Sequence, residues 1–249
     1  MGTALAAISR AELTLLTRNL AMIAAGVLMP LAVAATFVFT GRTSPHVVGW
    51  GFEVSMMLML LFGMSAYMTS AASLSYRRDE LYLKRLRSGP VSDTTVLLGV
   101  LSPVIVLTLA QCLLMLVVVA VAGPAVPANP LLVLLVLLAG TAVGVTAGMA
   151  TTGVTHSAEQ AQTVGLPFLI LLVGSGVWAG MDIAHGLSPV QLLLPGGAVL
   201  EVLRQAYGGG ESTFTGQLAA SAPGLGVLVA WVALGGLAAR RWFRWEPRR

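Results

Sequence analysis

Few side chains in this 249-residue sequence could do chemistry, and their spacing narrows what that chemistry is. The only lysine, Lys84, stands between Leu83 and Arg85. A nucleotide-binding loop needs its lysine directly after a glycine, in G-x-x-x-x-G-K-[ST], so that backbone N–H groups can wrap the phosphates, and no such site is expected here. His156 with Glu159, and Asp182 with His185, have the i,i+3 spacing of two ligands on one helical turn. Neither pair has a third ligand, so solvated loops are expected rather than metal sites. Gly174-Ser175-Gly176 lacks the spacing of a nucleophile elbow and reads as small residues that let helices approach. Cys112, the only cysteine, lies in an apolar run and reads as a packing residue. What remains is one dense charge run from Arg77 to Pro90. Its seven charges alternate with Leu81, Tyr82, Leu83 and Leu86, the pattern of a short surface helix ended by Gly89-Pro90. The chemistry open to it is recognition: it reads as a helix built to be gripped by something.

The elements around this run are built for a bilayer. The chain is 57% hydrophobic and 10% charged, with a mean hydropathy of +0.88, whereas soluble domains carry about a quarter charged residues. An all-α polytopic membrane protein is expected, a single transmembrane domain over residues 1–249. Six apolar stretches, at 20–40, 54–75, 95–122, 131–153, 163–181 and 218–239, approach or exceed the roughly 20 residues that cross a bilayer. Of the 14 Lys and Arg residues, all but Arg42 and Arg204 fall on one side of these spans. The positive-inside rule makes that side cytoplasmic, and puts both termini and residues 77–90 there. Trp242 and Trp245 fit an interfacial anchor in the basic tail, residues 240–249. Thirteen arginines against one lysine suggest a high-GC bacterial coding bias, hence a bacterial plasma membrane.

Residues 1–19 read as an amphipathic interfacial helix, with Ala4, Leu5, Ile8, Ala11, Leu15 and Leu16 on one arc. No signal peptide is expected, because Arg10 and Arg18 interrupt any short apolar region. Glu12 falls inside the apolar arc. It either reaches water or pairs with Arg18 or Arg85, or it contacts a partner protein. Residues 182–217 hold a broken piece too short to span, then a helix-like piece with Glu201 and Arg204, stopped by Gly208-Gly209-Gly210. They are expected to form an outer re-entrant segment, the alternative being an outer loop capped by an interfacial helix. Ion coupling needs ionisable groups at membrane depth, and the expected span cores contain none, Glu53 lying at a span end. That disfavours an ion-coupled secondary carrier, and the absence of a polar catalytic set disfavours a membrane-embedded enzyme; both stay as alternatives.

With these features together, the chain resembles the six-span membrane subunits of type-2 ATP-binding cassette exporters, a group that includes bacterial drug and antibiotic-resistance permeases. The most specific part is Arg78-Asp79-Glu80 with Leu83-Lys84-Arg85-Leu86-Arg87 and Gly89-Pro90-Val91-Ser92, similar to that family's charged coupling helix followed by a small residue and proline. The family often has Gly where Leu81 stands and Thr or Ser where Tyr82 stands. The resemblance implies two permease subunits, identical or related, and two separate ATPase subunits that hold the ATP and Mg. This chain would carry no cofactor and meet no nucleic acid. Arg78, Asp79, Glu80, Leu83, Lys84, Arg85, Leu86 and Arg87 would contact the ATPase, with Leu83 and Leu86 filling a cleft on it. In the family the second and fifth spans line a central cavity. Met57, Met64 and Met68 share a face of the second here, and Phe168, Leu171, Ser175 and Trp178 share one of the fifth. These would be the path of a hydrophobic or amphipathic cargo (a drug, an antibiotic or a lipid-like molecule), although such stripes also serve plain packing. Pro30, Pro103 and Pro167 are placed to kink spans one, three and five.

Overall fold

The computed structural model describes residues 6–11, 14, 18, 32–33, 35–36, 39, 49–88, 92–122, 126–155, 157–182, 186–243 and 245. Glu12, Pro30, most of the expected first span, Gly89 and Pro90 lie outside them, as do His156 and His185. From residue 49 on, the described elements are helices: α1 (Trp50–Asp79), α2 (Tyr82–Arg87), α3 (Asp93–Ala122), α4 (Pro130–Thr152), α5 (Ala158–Met181), α6 (Pro189–Leu193), α7 (Pro195–Ala206) and α8 (Phe214–Trp242). Five of them, α1, α3, α4, α5 and α8, are long and apolar enough to cross a membrane. They cover five of the six expected spans.

Polar residues just before the apolar runs fix several helix starts. Asn129, Ser157 and Thr213 accept hydrogen bonds from the backbone N–H of Leu132, Gln160 and Gly216, satisfying donors that a helix N-terminus leaves free. The spans accordingly begin a few residues earlier than hydropathy alone suggests. α1 takes in Glu53 in its first turn and continues to Asp79. The charge run is therefore not one surface helix, because Arg77, Arg78 and Asp79 complete a span. α3 and α5 run on through Pro103 and Pro167.

The middle of α1 is π-helical, from Phe62 to Met68, and this wide turn lies on a glycine row of α4. A Cβ added at Gly144 would stand 2.7 Å from the Phe62 carbonyl oxygen, and one at Gly148 2.7 Å from that of Tyr67. Glycine at every fourth position lets the two backbones touch, as membrane helices do where side-chain burial gives no hydrophobic gain. At the opposite end from α2, α7 is buried almost throughout and packs against α1, α4, α5 and α8. The outer faces of α3 and α8 expose Val106, Leu113, Val117, Val229, Leu234 and Leu237. Such surface suits acyl chains and is unfavourable in water.

Candidate functional site

The site is assembled where α1 turns into α2. α1 stops because Leu81 takes a left-handed backbone, φ 57°, with the Glu80 and Leu81 N–H groups closing on Tyr76 and Arg78 carbonyls at 3.1 and 3.0 Å. α2 restarts with the Arg85 N–H on the Leu81 carbonyl at 3.1 Å. A left-handed residue with a Cβ costs about 1–2 kcal/mol, a cost that glycine at this position would avoid. Leu81→Gly is expected to leave assembly intact, whereas Leu81→Val, bulky at its β-carbon, should loosen α2; protease cleavage at 77–90 compares them. Faster cleavage of the glycine variant would count against this turn.

Arg78 is 1% exposed and points away from the surface. Its Nη1 and Nη2 donate to the carbonyls of Thr152 and Thr155 at 2.6 and 3.0 Å, and its Nε lies 3.6 Å from Asp79. A cation at the C-terminal end of α4 also complements the helix dipole. Arg78 therefore ties the root of α2 to the α4–α5 connection instead of facing a partner.

α2 is turned apolar side inward. Leu83 is fully buried among Leu74, Val96, Val100 and Leu101, with Ile8 and the half-buried Leu86 packed on that cluster. Leu83 therefore does not fill a cleft on an ATPase, as was expected of it, but seats the helix on its own spans, and Leu86 packs on the same cluster while keeping part of its surface exposed. Glu80, Leu81, Lys84, Arg85 and Ser88 line an open hollow on the other side. Arg85 donates to the Glu80 carbonyl at 3.0 Å and the Ser88 hydroxyl donates to that of Arg85 at 2.7 Å, so the exposed face is held in shape. Arg87 donates to Asp93 at 3.1 Å and lies 4.9 Å from the Trp245 ring centre, while Arg77 lies 5.0 Å from that of Tyr82. These contacts pin α2 to α1, to α3 and to the segment after α8.

The seven residues proposed to line a path do not form one surface. Met57 is fully buried, Met68 half-buried and Met64 44% exposed. The π segment supplies the reason: one extra residue in a turn rotates the remainder of the helix by about 100°, which breaks a face drawn for a regular helix. Ser175 is buried, donating to the Leu172 carbonyl at 3.2 Å and accepting from the Gly196 N–H at 3.1 Å; it locks α5 to α7. Leu171 is half-buried and Trp178 44% exposed. Phe168 meets Tyr67 at 4.7 Å and Trp231 at 6.2 Å between ring centres. It helps line a crevice of about 290 Å³ between α4, α5 and α8, with Val143, Ala147, Thr151, Trp231 and Trp242. The Tyr67 and Thr151 hydroxyls are 3.0 Å apart beside it. Tyr67, Thr151 and Trp231 went unmarked in the sequence because each sits on a different helix, and only packing brings them together.

The segment before α8 is tied down by side chains. Ser188 and Gln191 form a capping box on α6, and the Gln191 amide donates to Asp182 at 2.6 Å, so Asp182 serves this cap. Glu201 accepts from Arg204 at 2.7 and 3.0 Å, and holds that guanidinium above its ordinary pKa. The Trp231 indole donates to the Leu193 carbonyl at 3.0 Å, joining α8 to α6. Among the described residues no three His, Cys, Asp or Glu side chains gather as metal ligands.

A comparison with curated proteins finds no match. The family model described as ABC-2 family transporter protein matches residues 50–241, from the start of α1 to the last turn of α8. Such domains are membrane components that work with ATP-binding cassette subunits and are not themselves catalytic. The chain belongs to the ABC-2 transporter family and is a multi-pass membrane protein, the transmembrane part of an ABC transporter.

Proposed function

We propose that this chain is one of two permease subunits of a bacterial plasma-membrane exporter for hydrophobic or amphipathic small molecules, driven by two ATPase subunits that bind ATP and Mg. The observation that carries the proposal is the exposed, polar face of α2, pinned at its root and on both flanks to spans. In this reading α2 and both termini are cytoplasmic, in keeping with the one-sided basic residues, and α6–α7 form a re-entrant cover on the outside.

Force on α2 has three routes inward. It reaches α1 through the Leu81 turn, α3 through Arg87 and Asp93, and the α4–α5 connection through Arg78. Closure of the ATPases shifts the permease between states only as far as they bind one state better than the other. About 5.5 kcal/mol of such difference takes a 1:99 equilibrium to 99:1. The aromatic crevice around Phe168, Trp231 and Trp242 suits an apolar cargo with a flat or flexible body.

Reconstitution in vesicles with the ATPase partner tests this. ATP should drive a lipophilic dye to one side of the membrane, and neither protein alone should move it. ATP turnover that cargo never stimulates, with no dye movement across a panel of lipophilic compounds, would remove the exporter reading.

A further inference from the structure

A second hollow, of about 320 Å³, lies at the α2 end between α3, α4 and α8. Its floor is apolar, with Leu97, Leu101, Met149 and Ala239, and Leu98 opens it sideways, being 46% exposed. A Cβ built at Gly236 meets nothing within 4 Å, so the floor has room there. The rim is charged and of both signs: the Asp93 carboxylate and Thr94 hydroxyl at the start of α3, and the exposed Arg240 guanidinium near the end of α8. Phe243 and Trp245 close the top, ring centres 5.3 Å apart and edge to face. Aromatic rings beside basic residues at the end of a span mark the depth of lipid headgroups.

A small soluble ion has no use for the greasy floor, and a bare acyl chain has none for the rim. The pairing fits an amphipath whose head carries one negative and one positive group. Asp93 is engaged by Arg87 through one oxygen, Oδ1, and a carboxylate accepts at about four lone-pair sites, so it can take a further donor.

We propose that this hollow seats one phospholipid with a primary ammonium head, a phosphatidylethanolamine of the adjoining leaflet, with phosphate on Arg240, ammonium on Asp93 and the root of an acyl chain against Leu98, Leu101 and Gly236. The site is separate from the crevice assigned to cargo and rests only on the membrane placement of α3 and α8. Asp93 and Trp245 are also the two groups that hold Arg87, so the lipid braces the pin between α2 and α3.

The full-length chain in detergent is titrated with phosphatidylethanolamine, phosphatidylcholine and phosphatidylglycerol of identical acyl chains, bound lipid being read by native mass spectrometry. The choline head has no N–H to give Asp93, and a charge-assisted hydrogen bond is worth about tenfold or more in affinity. The expected order is therefore ethanolamine about tenfold tighter than choline. Asp93→Asn should erase that preference, Arg87→Gln should keep it although it breaks the same ion pair, and Arg240→Gln should weaken both lipids. Gly236→Leu should abolish binding while the melting temperature stays at or above that of the wild type, since the space it fills is open. Equal affinity for ethanolamine and choline heads, tighter binding of phosphatidylglycerol, or full binding by Gly236→Leu overturns the proposal.

Discussion

Arg78→Ala should lower the melting temperature of the purified chain by roughly 6–12 °C. The substitution leaves two carbonyls, of Thr152 and Thr155, without the donors that now lie at 2.6 and 3.0 Å, and opens space in a site 1% exposed. Hydrogen bonds to a charged group contribute about 1.5–3 kcal/mol each and unpaired buried groups cost about as much, so a total near 3 kcal/mol is a moderate expectation. At about 2–4 °C per kcal/mol for a chain of this size, the shift is readily seen by scanning fluorimetry in detergent. Arg78→Lys should fall between, because an ammonium lacks the planar fork that reaches both carbonyls. A melting temperature for Arg78→Ala within about 1 °C of the wild type would mean that the guanidinium does not join α1 to the α4–α5 connection.

Gly144→Leu should be at least as damaging, through backbone and not charge. Its Cβ alone would lie 2.7 Å from the Phe62 oxygen and the Ala66 Cβ, and 3.1 Å from the Tyr67 nitrogen. Backbone atoms cannot rotate aside, so α1 and α4 must separate along the whole π segment. Overpacking typically costs about 1–3 kcal/mol and more where the neighbour is rigid. Gly226→Ala on α8 is the control, since a Cβ there meets nothing within 4 Å, and exchanging glycine for alanine in a helix is favourable by up to about 1 kcal/mol. Folded yield on size-exclusion chromatography should collapse for the first variant and hold for the second. Equal yields would contradict the close approach of α1 and α4.

The spans were legible because lipid leaves a chain little choice. Long apolar runs such as 131–153 can satisfy their backbone only as helices, and α4 occupies Pro130–Thr152. The position of α2 after the second span was legible for the complementary reason, that so many charges cannot stay in lipid. Its orientation was not. Leu83 and Leu86 share a face in the sequence, but whether that face meets a partner or the chain's own spans depends on Val96, Val100 and Ile8, which only the fold brings near. The role of Arg78 was hidden in the same way, its acceptors being 74 and 77 residues away. The methionine face failed because it assumed a regular helix, and a π segment leaves no plain mark in Phe62–Met68. The glycines of α4 were passed over, because their partner, the backbone of α1, comes near only in the fold.

If the exposed face of α2 receives force from an ATPase, reversing its charge should break the contact. Lys84→Glu with Arg85→Glu changes two exposed side chains on the hollow that also holds Glu80, Leu81 and Ser88, without touching Leu83, Arg78 or any span. Binding of the ATPase subunit to the reconstituted permease should weaken by about tenfold or more, since opposed like charges at an interface cost several kcal/mol. Cargo-stimulated ATP hydrolysis should fall with it, while the permease alone stays folded, its melting temperature lowered by no more than about 4 °C for the lost Arg85–Glu80 hydrogen bond. Wild-type ATPase affinity and stimulation in the doubly reversed protein would mean that α2 is not the ATPase contact.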